Sequence, residues 1–350
     1  MKKTLVALAT LTVAAGACAQ SSVTVFGVLD TSIAHISARG SNTTGLSSGG
    51  LASSRIGFRG VEDLGGGLAA GFWLEGSLGA DTGTTTLFDR RSTVSLSGAY
   101  GEVRIGRDKV PTYLNIETFD AFGDAGVGGI GASNLVGSAT SAAGTPEGSA
   151  PKRASNTVSY LLPANLGGFY GQVQYAFGEQ VSGVANESLR DAIGARVGYA
   201  AGPLDVALAH GEVRGGTTAA GVDYKATNVG ASYNFGVIKP MVSYATERGN
   251  GRKVEMFEVS AIAPVGVGVI RAAYSVFKRK DINDADSSKL ALGYVHNLSK
   301  RTALYGTIAR VNNDRAANRG LAVSSSSLAS PTIGAGSNVS GYELGLRHTF

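Results

Sequence analysis

Along most of this chain apolar residues recur at every second position. Between Gly171 and Phe177, Val173, Tyr175 and Phe177 alternate with Gln172 and Gln174, and between Asn228 and Phe235, Val229, Ala231, Tyr233 and Phe235 stand against Asn228, Ser232 and Asn234. The period returns at 93–97, where Val94 and Leu96 interleave with Thr93, Ser95 and Ser97, and again over 289–296 and 342–350. A period of two sends successive side chains to opposite faces of an extended strand. These segments therefore predict β-strands with one apolar face and one small or polar face. Three-and-four spacing is missing, which argues against a helical bundle or a Rossmann-type α/β enzyme. Beyond residue 19 no stretch approaches the 18 or so consecutive apolar residues of a transmembrane helix.

A soluble sandwich alternates too, so connection lengths carry more weight than period. Short Gly, Pro and Asn turns fall at 64–67, 99–101, 164–167, 201–203, 236–237, 264–266 and 297–301. Between them lie longer, more polar connections at 39–51, 80–87, 109–152, 179–189, 214–221, 249–252, 280–287 and 314–340. Seven turns at one end and eight loops at the other separate sixteen strands, with both termini at the short-turn end. That is the pattern of an antiparallel transmembrane β-barrel with periplasmic turns and long outer loops. The expected last strand ends on Phe350 and carries Tyr342, Leu344, Leu346 and His348 on the same face. It closes the barrel against a first strand at 22–30.

Composition agrees with an all-β body. Of 350 residues 51 are glycine and 8 proline, 43% are hydrophobic and 16% charged, with no G-X-Y period. Collagen is thereby excluded, and 13 tyrosines and 12 phenylalanines exclude a disordered chain. At the amino terminus Lys2 and Lys3, the apolar run 5–15 and the small residues Ala17-Cys18-Ala19 form charged, hydrophobic and cleavage regions in order. Residues 1–19 are read as a secretory signal cut after Ala19, with a lipoprotein cut before Cys18 as the minor alternative, and 20–350 as the barrel. The 331 residues that remain give about 21 per strand plus connection, enough for the roughly ten residues of a tilted spanning strand. They contain no cysteine, hence no disulfide framework. A mild excess of basic residues does not make a nucleic-acid surface.

Motifs for enzyme chemistry fail on context. Gly126-Val-Gly-Gly-Ile-Gly131 spells a dinucleotide-binding turn but opens no predicted helix. Asp281-Ile-Asn-Asp-Ala-Asp286 departs from a calcium loop at Ala285 and lacks its central glycine. His35, His210, His296 and His348 are scattered, so neither a zinc site nor a Ser-His-Asp triad is indicated. No catalytic residue, metal or cofactor is expected.

The chain resembles the trimeric general porins of Gram-negative β-proteobacteria. The likeness spans nearly the whole mature chain and is concentrated in Ser21-Ser-Val-Thr-Val-Phe-Gly27, Ser54-Arg-Ile-Gly-Phe-Arg-Gly-Val-Glu-Asp-Leu64, Arg104-Ile-Gly-Arg107, Asn156-Thr-Val-Ser-Tyr160, Asn297-Leu-Ser-Lys-Arg-Thr302 and Gly345-Leu-Arg-His-Thr-Phe350. It implies sixteen strands, a homotrimer, a third outer loop folded into the lumen, and a terminal Phe350 read by the barrel insertion machinery. Arg91 departs from the pattern, where an amide is expected after Arg90, and so does the glycine-rich tail of the third loop, 126–148.

The connection 109–152 follows the fifth strand, where a constriction loop belongs, and bears Glu117, Asp120 and Asp124 beside Phe119 and Phe122. With Ile56 and Phe58 outward, parity turns Arg55 and Arg59 inward, and with Val158 and Tyr160 outward it turns Arg153 inward. Arg91 shares the inward face of Thr93 and Ser95, whereas Arg90 and Arg107, near strand ends, do not. The expected site is an eyelet with a basic wall of Arg55, Arg59, Arg90, Arg91, Arg107 and Arg153 facing Glu117, Asp120 and Asp124, giving a mild anion preference that inward Glu75 and Asp30 weaken. Tyr160, Tyr175, Tyr199, Tyr233, Tyr244, Tyr294 and Phe350 are expected in the interfacial girdles.

The function expected is passive diffusion of ions and small hydrophilic solutes through an outer-membrane pore, in contact with membrane lipid and lipopolysaccharide. The alternatives are a barrel hydrolase using His35 or His210, and a barrel acting mainly as an adhesin through the loop 314–340, whose removal is expected to spare conductance.

Overall fold

A computed structural model describes residues 22–131, 152–183, 187–215, 223–249, 251–321, 328 and 331–350. The expected signal at 1–19 and most of the glycine-rich tail of the third loop, 132–151, lie outside the described residues. The alternating segments become β1 (Ser22–Ala38), β2 (Ser41–Ser48), β3 (Arg55–Gly65), β4 (Leu68–Leu78), β5 (Thr85–Gly98) and β6 (Gly101–Lys109), then a short helix, α1 (Pro111–Thr118). There follow β7 (Arg153–Leu161), β8 (Phe169–Ala176), β9 (Ala192–Ala201), β10 (Leu204–Val213), β11 (Tyr224–Tyr233), β12 (Lys239–Gly249), β13 (Arg252–Val265), β14 (Gly268–Arg279), β15 (Ser287–Asn297), β16 (Thr302–Asn313) and β17 (Val339–Thr349).

All pairings are antiparallel. β1 pairs with β17 from Val28↔Thr349 to Ala38↔Val339, which closes the sheet and leaves no free edge. Seventeen strands fill sixteen places in the wall, because β2 pairs with the outer half of β1, from Thr31 to Ala38, and β3 with its inner half, from Ser22 to Val28. The wall is interrupted between them at 49–54. All seven expected short turns lie between strands at the end that holds both ends of the described chain.

The segment 39–51, expected as an outer loop, is mostly strand. β1 continues to Ala38, the chain reverses at Arg39 and Gly40, whose φ is +77°, and β2 runs back beside it. Its Ser, Thr and Asn residues read as loop because they are polar. In the ladder Asn42 and Thr44 lie across from Ser37 and His35, beyond the apolar belt.

The wall is inverted relative to a soluble protein. Val229, Tyr244, Phe257, Leu290, Ile308 and Leu344 are exposed on its outer face, a cost in water that hydrocarbon removes. The tyrosines expected in the girdles share this face, with Tyr160, Tyr233, Tyr244 and Tyr294 exposed and Tyr175 and Tyr199 half-buried. Phe350 ends the chain on the same side: it exchanges two 3.1 Å backbone hydrogen bonds with Gly27, and its ring occupies the space where a β-carbon on residue 27 would stand, 2.3 Å away.

The buried apolar residues lie inside the barrel. Phe122 and Val127 of the third loop pack against lumen-facing Ala273, Ala291 and Ala309, and Leu321 and Ile333 of the connection between β16 and β17 join the same cluster. Small residues on the inner face leave room for loops to fold in.

Candidate functional site: the channel constriction

The third loop is built to stay in the lumen. Pro111 supplies a fixed φ at the start of α1 and gives up an amide that has no helical partner in any case. Asn115, from the middle of the helix, donates to Asn228 Oδ1 on β11 at 2.7 Å and to Ala207 O on β10 at 3.2 Å, while Asn228 donates back to Thr112 O at 3.0 Å. Arg196 on β9 adds hydrogen bonds to Asn115 Oδ1 at 2.9 Å and Thr118 Oγ1 at 3.1 Å. Phe119 is wholly buried against β11 at Gly230, where a β-carbon would come within 2.1 Å of its ring.

After α1 the loop coils around Asp120. Its carboxylate accepts the amides of Phe122 at 2.8 Å, Asp124 at 2.8 Å and Ile130 at 3.0 Å. Burial, reinforced by nearby Asp124, pushes this carboxyl above its ordinary range against those donors. Further on Val127 N reaches Glu343 Oε2 on β17 at 3.0 Å, and Lys289 on β15 donates to Gly129 O.

The wall contributes a second inward fold. At 49–54 the chain leaves the sheet and is caught by Asp30 of β1, which accepts Leu51 N at 2.9 Å and Ala52 N at 2.7 Å through one oxygen and the Tyr305 hydroxyl at 2.5 Å through the other. Asp30 is on the inner face, as parity has it, but is fully buried beneath this fold. Gly50 passes so close to Gly126 that a β-carbon on residue 126 would lie 2.2 Å from Gly50 O. The two folds meet there and flank the pore.

Between them lies a cavity of about 510 Å³ that collects most of the predicted residues: Arg55, Arg90, Arg91 and Arg153 from the wall, with Glu117, Asp120 and Asp124 from the loop. Arg90 donates to Glu75 at 2.6 Å and Arg55 lies 3.7 Å from the same carboxylate. Arg55 also donates to Ser53 O at 2.9 Å, so the wall fold helps to aim it. Arg91 approaches Asp108 to 3.8 Å and stacks 4.6 Å from the Trp73 ring. Arg153 donates to Arg90 O at 2.8 Å and makes no ion pair among the described residues.

The loop carboxylates are largely spoken for. Glu117 pairs with Lys109 at 2.5 Å, Asp124 with Lys152 at 2.6 Å, and Asp120 serves the loop backbone. Tyr113 donates to Asp124 at 3.1 Å, and burial next to that acid pushes its hydroxyl well up. Cations on the opposing wall are therefore the less compensated side.

Two expected members stand elsewhere. Arg59 faces inward but sits nearer the periplasmic end, stacked 5.1 Å from Trp73 and 5.4 Å from Phe26. Arg107 pairs with Ser92 in the ladder, on the outer-face parity of Val94 and Ile105, and binds Ser155 Oγ at 2.7 Å and Asp89 O; it does not line the cavity. Arg90, by contrast, joins Arg91 inside because the register breaks between Glu75 and Ser77, which resets the face of the residues opposite. Reading by parity missed Arg104, which holds Asp108 at 2.7 Å, and Arg271, whose flanking Ile270, Ala272 and Ala273 drew no attention to it. Like Arg153, Arg271 makes no ion pair among the described residues. An inward charge amid small residues was the available signal.

The histidines invoked for a hydrolase face away from the lumen. His35 bonds Thr44 Oγ1 at 2.6 Å and stacks on Tyr342, and His210 bonds Thr227 Oγ1 at 2.7 Å, all on the outer-face parity.

A closed barrel with an apolar exterior, a polar lumen and an inward loop defines a water-filled channel of the bacterial outer membrane. Residues 4–316 match the profile of the Gram-negative porins. The chain is 41% identical to an outer membrane porin protein 32 of Delftia acidovorans over 360 residues, covering 100% of both, and 30% identical to an outer membrane porin protein of Bordetella pertussis, covering 87% of this chain and 93% of that one. Its structure is similar to an anion-selective porin from Comamonas acidovorans, with 39% identity, a TM-score of 0.81, and 95% of this chain and 100% of that one covered. A trimer form of a Vibrio cholerae outer membrane protein, 17% identical with a TM-score of 0.67, shares the fold over 94% of this chain and 99% of that one. The chain belongs to the Gram-negative porin family and forms a channel in the outer membrane.

Proposed function

We propose that this porin passes ions and small hydrophilic solutes by passive diffusion with a mild preference for anions, and that the constriction of Arg55, Arg90, Arg91 and Arg153 facing Glu117, Asp120 and Asp124 sets that preference. One observation carries the reading: Arg153 and Arg271 line the narrow cavity without an acid partner among the described residues, while Glu117, Asp120 and Asp124 are paired or committed to backbone amides. Unpaired cations beside a narrow aqueous gap raise the local anion concentration. The similarity to a porin described as anion-selective supports the same sign.

The working form is a homotrimer, as one structural relative is described, and residues 1–19 are a cleaved export signal. Phe350, seated on Gly27 at the seam, is the signal read by the insertion machinery. The relatives are porins, which fits a protein without enzyme chemistry or cofactor.

The test is zero-current potential and conductance of the purified protein in planar bilayers across a potassium chloride gradient. Conductance steps arriving in threes with a chloride-favouring potential are expected. A potassium-favouring potential would leave the channel standing and overturn the selectivity assignment.

A further inference from the structure

Neighbours in a regular strand face opposite sides of the sheet, yet Arg90 and Arg91 of β5 both line the lumen cavity. The wall leaves its regular ladder to allow this. Ser77 of β4 pairs with Thr86 and Glu75 with Arg91, so four residues of β5, 87–90, stand where β4 has only Gly76. The bulge lies close over that glycine: a β-carbon on residue 76 would come 2.7 Å from Thr86 O and 3.0 Å from Phe88 N. Phe88 within it has a φ of +58°, which a bulky side chain rarely adopts and which persists only where the surroundings hold it.

The hold comes from Asp89. Its side chain reaches back to β4, where one oxygen accepts Ser77 N at 2.7 Å and the other accepts the Ser77 hydroxyl at 2.7 Å. A carboxylate that takes two donors from one residue fixes direction as well as distance. On the other flank Arg107 of β6 donates to Asp89 O and, through a second nitrogen, to Ser155 Oγ of β7 at 2.7 Å. β7 is itself irregular there, with Asn156 at a φ of +57°, and its Arg153 donates to Arg90 O at 2.8 Å. The bulge is thus tied to both adjoining strands. Asp89 and Arg107, which make the ties, do not line the cavity.

We propose that Asp89 is a positioning residue for ion selectivity: by clasping Ser77 it holds the bulge that turns Arg90 and Arg91 to the same side of the wall. It sets the charge that a passing ion meets without meeting the ion. The proposal rests on the reading that cations of the wall set the ion preference. It gives Asp89 a sign opposite to that of a free acid near the throat, because a bare negative charge weakens anion preference and this one strengthens it.

Zero-current potentials of the purified full-length porin in planar bilayers, across a potassium chloride gradient, test it with two variants that lose the same charge. Asp89→Ala abolishes the clasp and should move the potential toward potassium. Asp89→Asn keeps an oxygen for Ser77 N and gains an amide that donates to the Ser77 oxygen, so it should stay at the wild-type value or move slightly toward chloride. Equal shifts in the two variants, in either direction, would overturn the proposal, as would no shift in either. Arg90→Gln combined with Arg91→Gln separates the proposal from the reading beneath it. A shift toward potassium in that double variant with none in Asp89→Ala would overturn the positioning role alone, whereas no shift in the double variant would overturn the wall reading and the proposal with it. Should Asp89→Ala fail to fold, Ser77→Ala, which changes no charge and removes one of the two donors, should shift the potential toward potassium by less than the double variant does; an unshifted potential there would overturn the role.

Discussion

Tyr305 on β16 donates its hydroxyl at 2.5 Å to Asp30 on β1, across the intervening β17, and the same carboxylate holds the amides of Leu51 and Ala52. One buried acid thus ties the barrel seam to the fold that narrows the pore. A neutral hydroxyl bonding a buried carboxylate contributes about 1.5–3 kcal/mol. Tyr305→Phe should lower the free energy of unfolding by that amount and increase open-channel current noise, because the carboxylate that holds Leu51 and Ala52 loses a constraint. Noise identical to the wild type would show that the remaining amide donors hold the fold alone.

Gly230 is where the third loop docks. A methyl group there would overlap the Phe119 ring, and the neighbouring bonds of Asn115 and Asn228 restrict retreat. Overpacking of this kind costs about 1–3 kcal/mol. Gly230→Ala should displace α1 into the lumen and change single-channel conductance, whereas Gly266→Ala at a periplasmic turn should affect stability but not conductance.

Glu75 restrains two arginines, Arg90 at 2.6 Å and Arg55 at 3.7 Å. Glu75→Gln should free both and move the zero-current potential toward chloride. Arg153→Gln should move it the opposite way. Shifts of the same sign in both variants would contradict control by wall charge.

The connection between β16 and β17 bears on the loop as well. Arg319 is buried with its guanidinium 3.6 Å from the Phe277 ring centroid, burial holding its pKa down to about 10, and Leu321 packs in the cluster that contains Phe122 and Val127. Removing 314–338 should therefore raise single-channel conductance, contrary to the expectation from sequence that it is dispensable. Bilayer recordings of the deletion protein decide between the two.

Strand pairing was legible because a single rule governs it: an apolar side chain outward, a small or polar one inward, and a tight turn at one end. Residues 41–48 escaped because Ser, Thr and Asn obey the period without supplying apolar contrast. The eyelet was partly legible for a related reason. Parity placed Arg55, Arg91 and Arg153 inward and Arg107 off the inner face, as the structure has them, but the register break beside Glu75 makes parity count from a new origin, which brings Arg90 inside. Asp30 was placed on the inner face correctly, yet its role depends on a Tyr hydroxyl 275 residues away, which no local pattern reveals.

Both sides of the throat are fastened by buried carboxylates, Asp30 under the wall fold and Asp120 within the loop. Such a passage behaves as a sieve with a fixed mesh, not as a valve. Warming should speed permeation only as much as it thins the water inside.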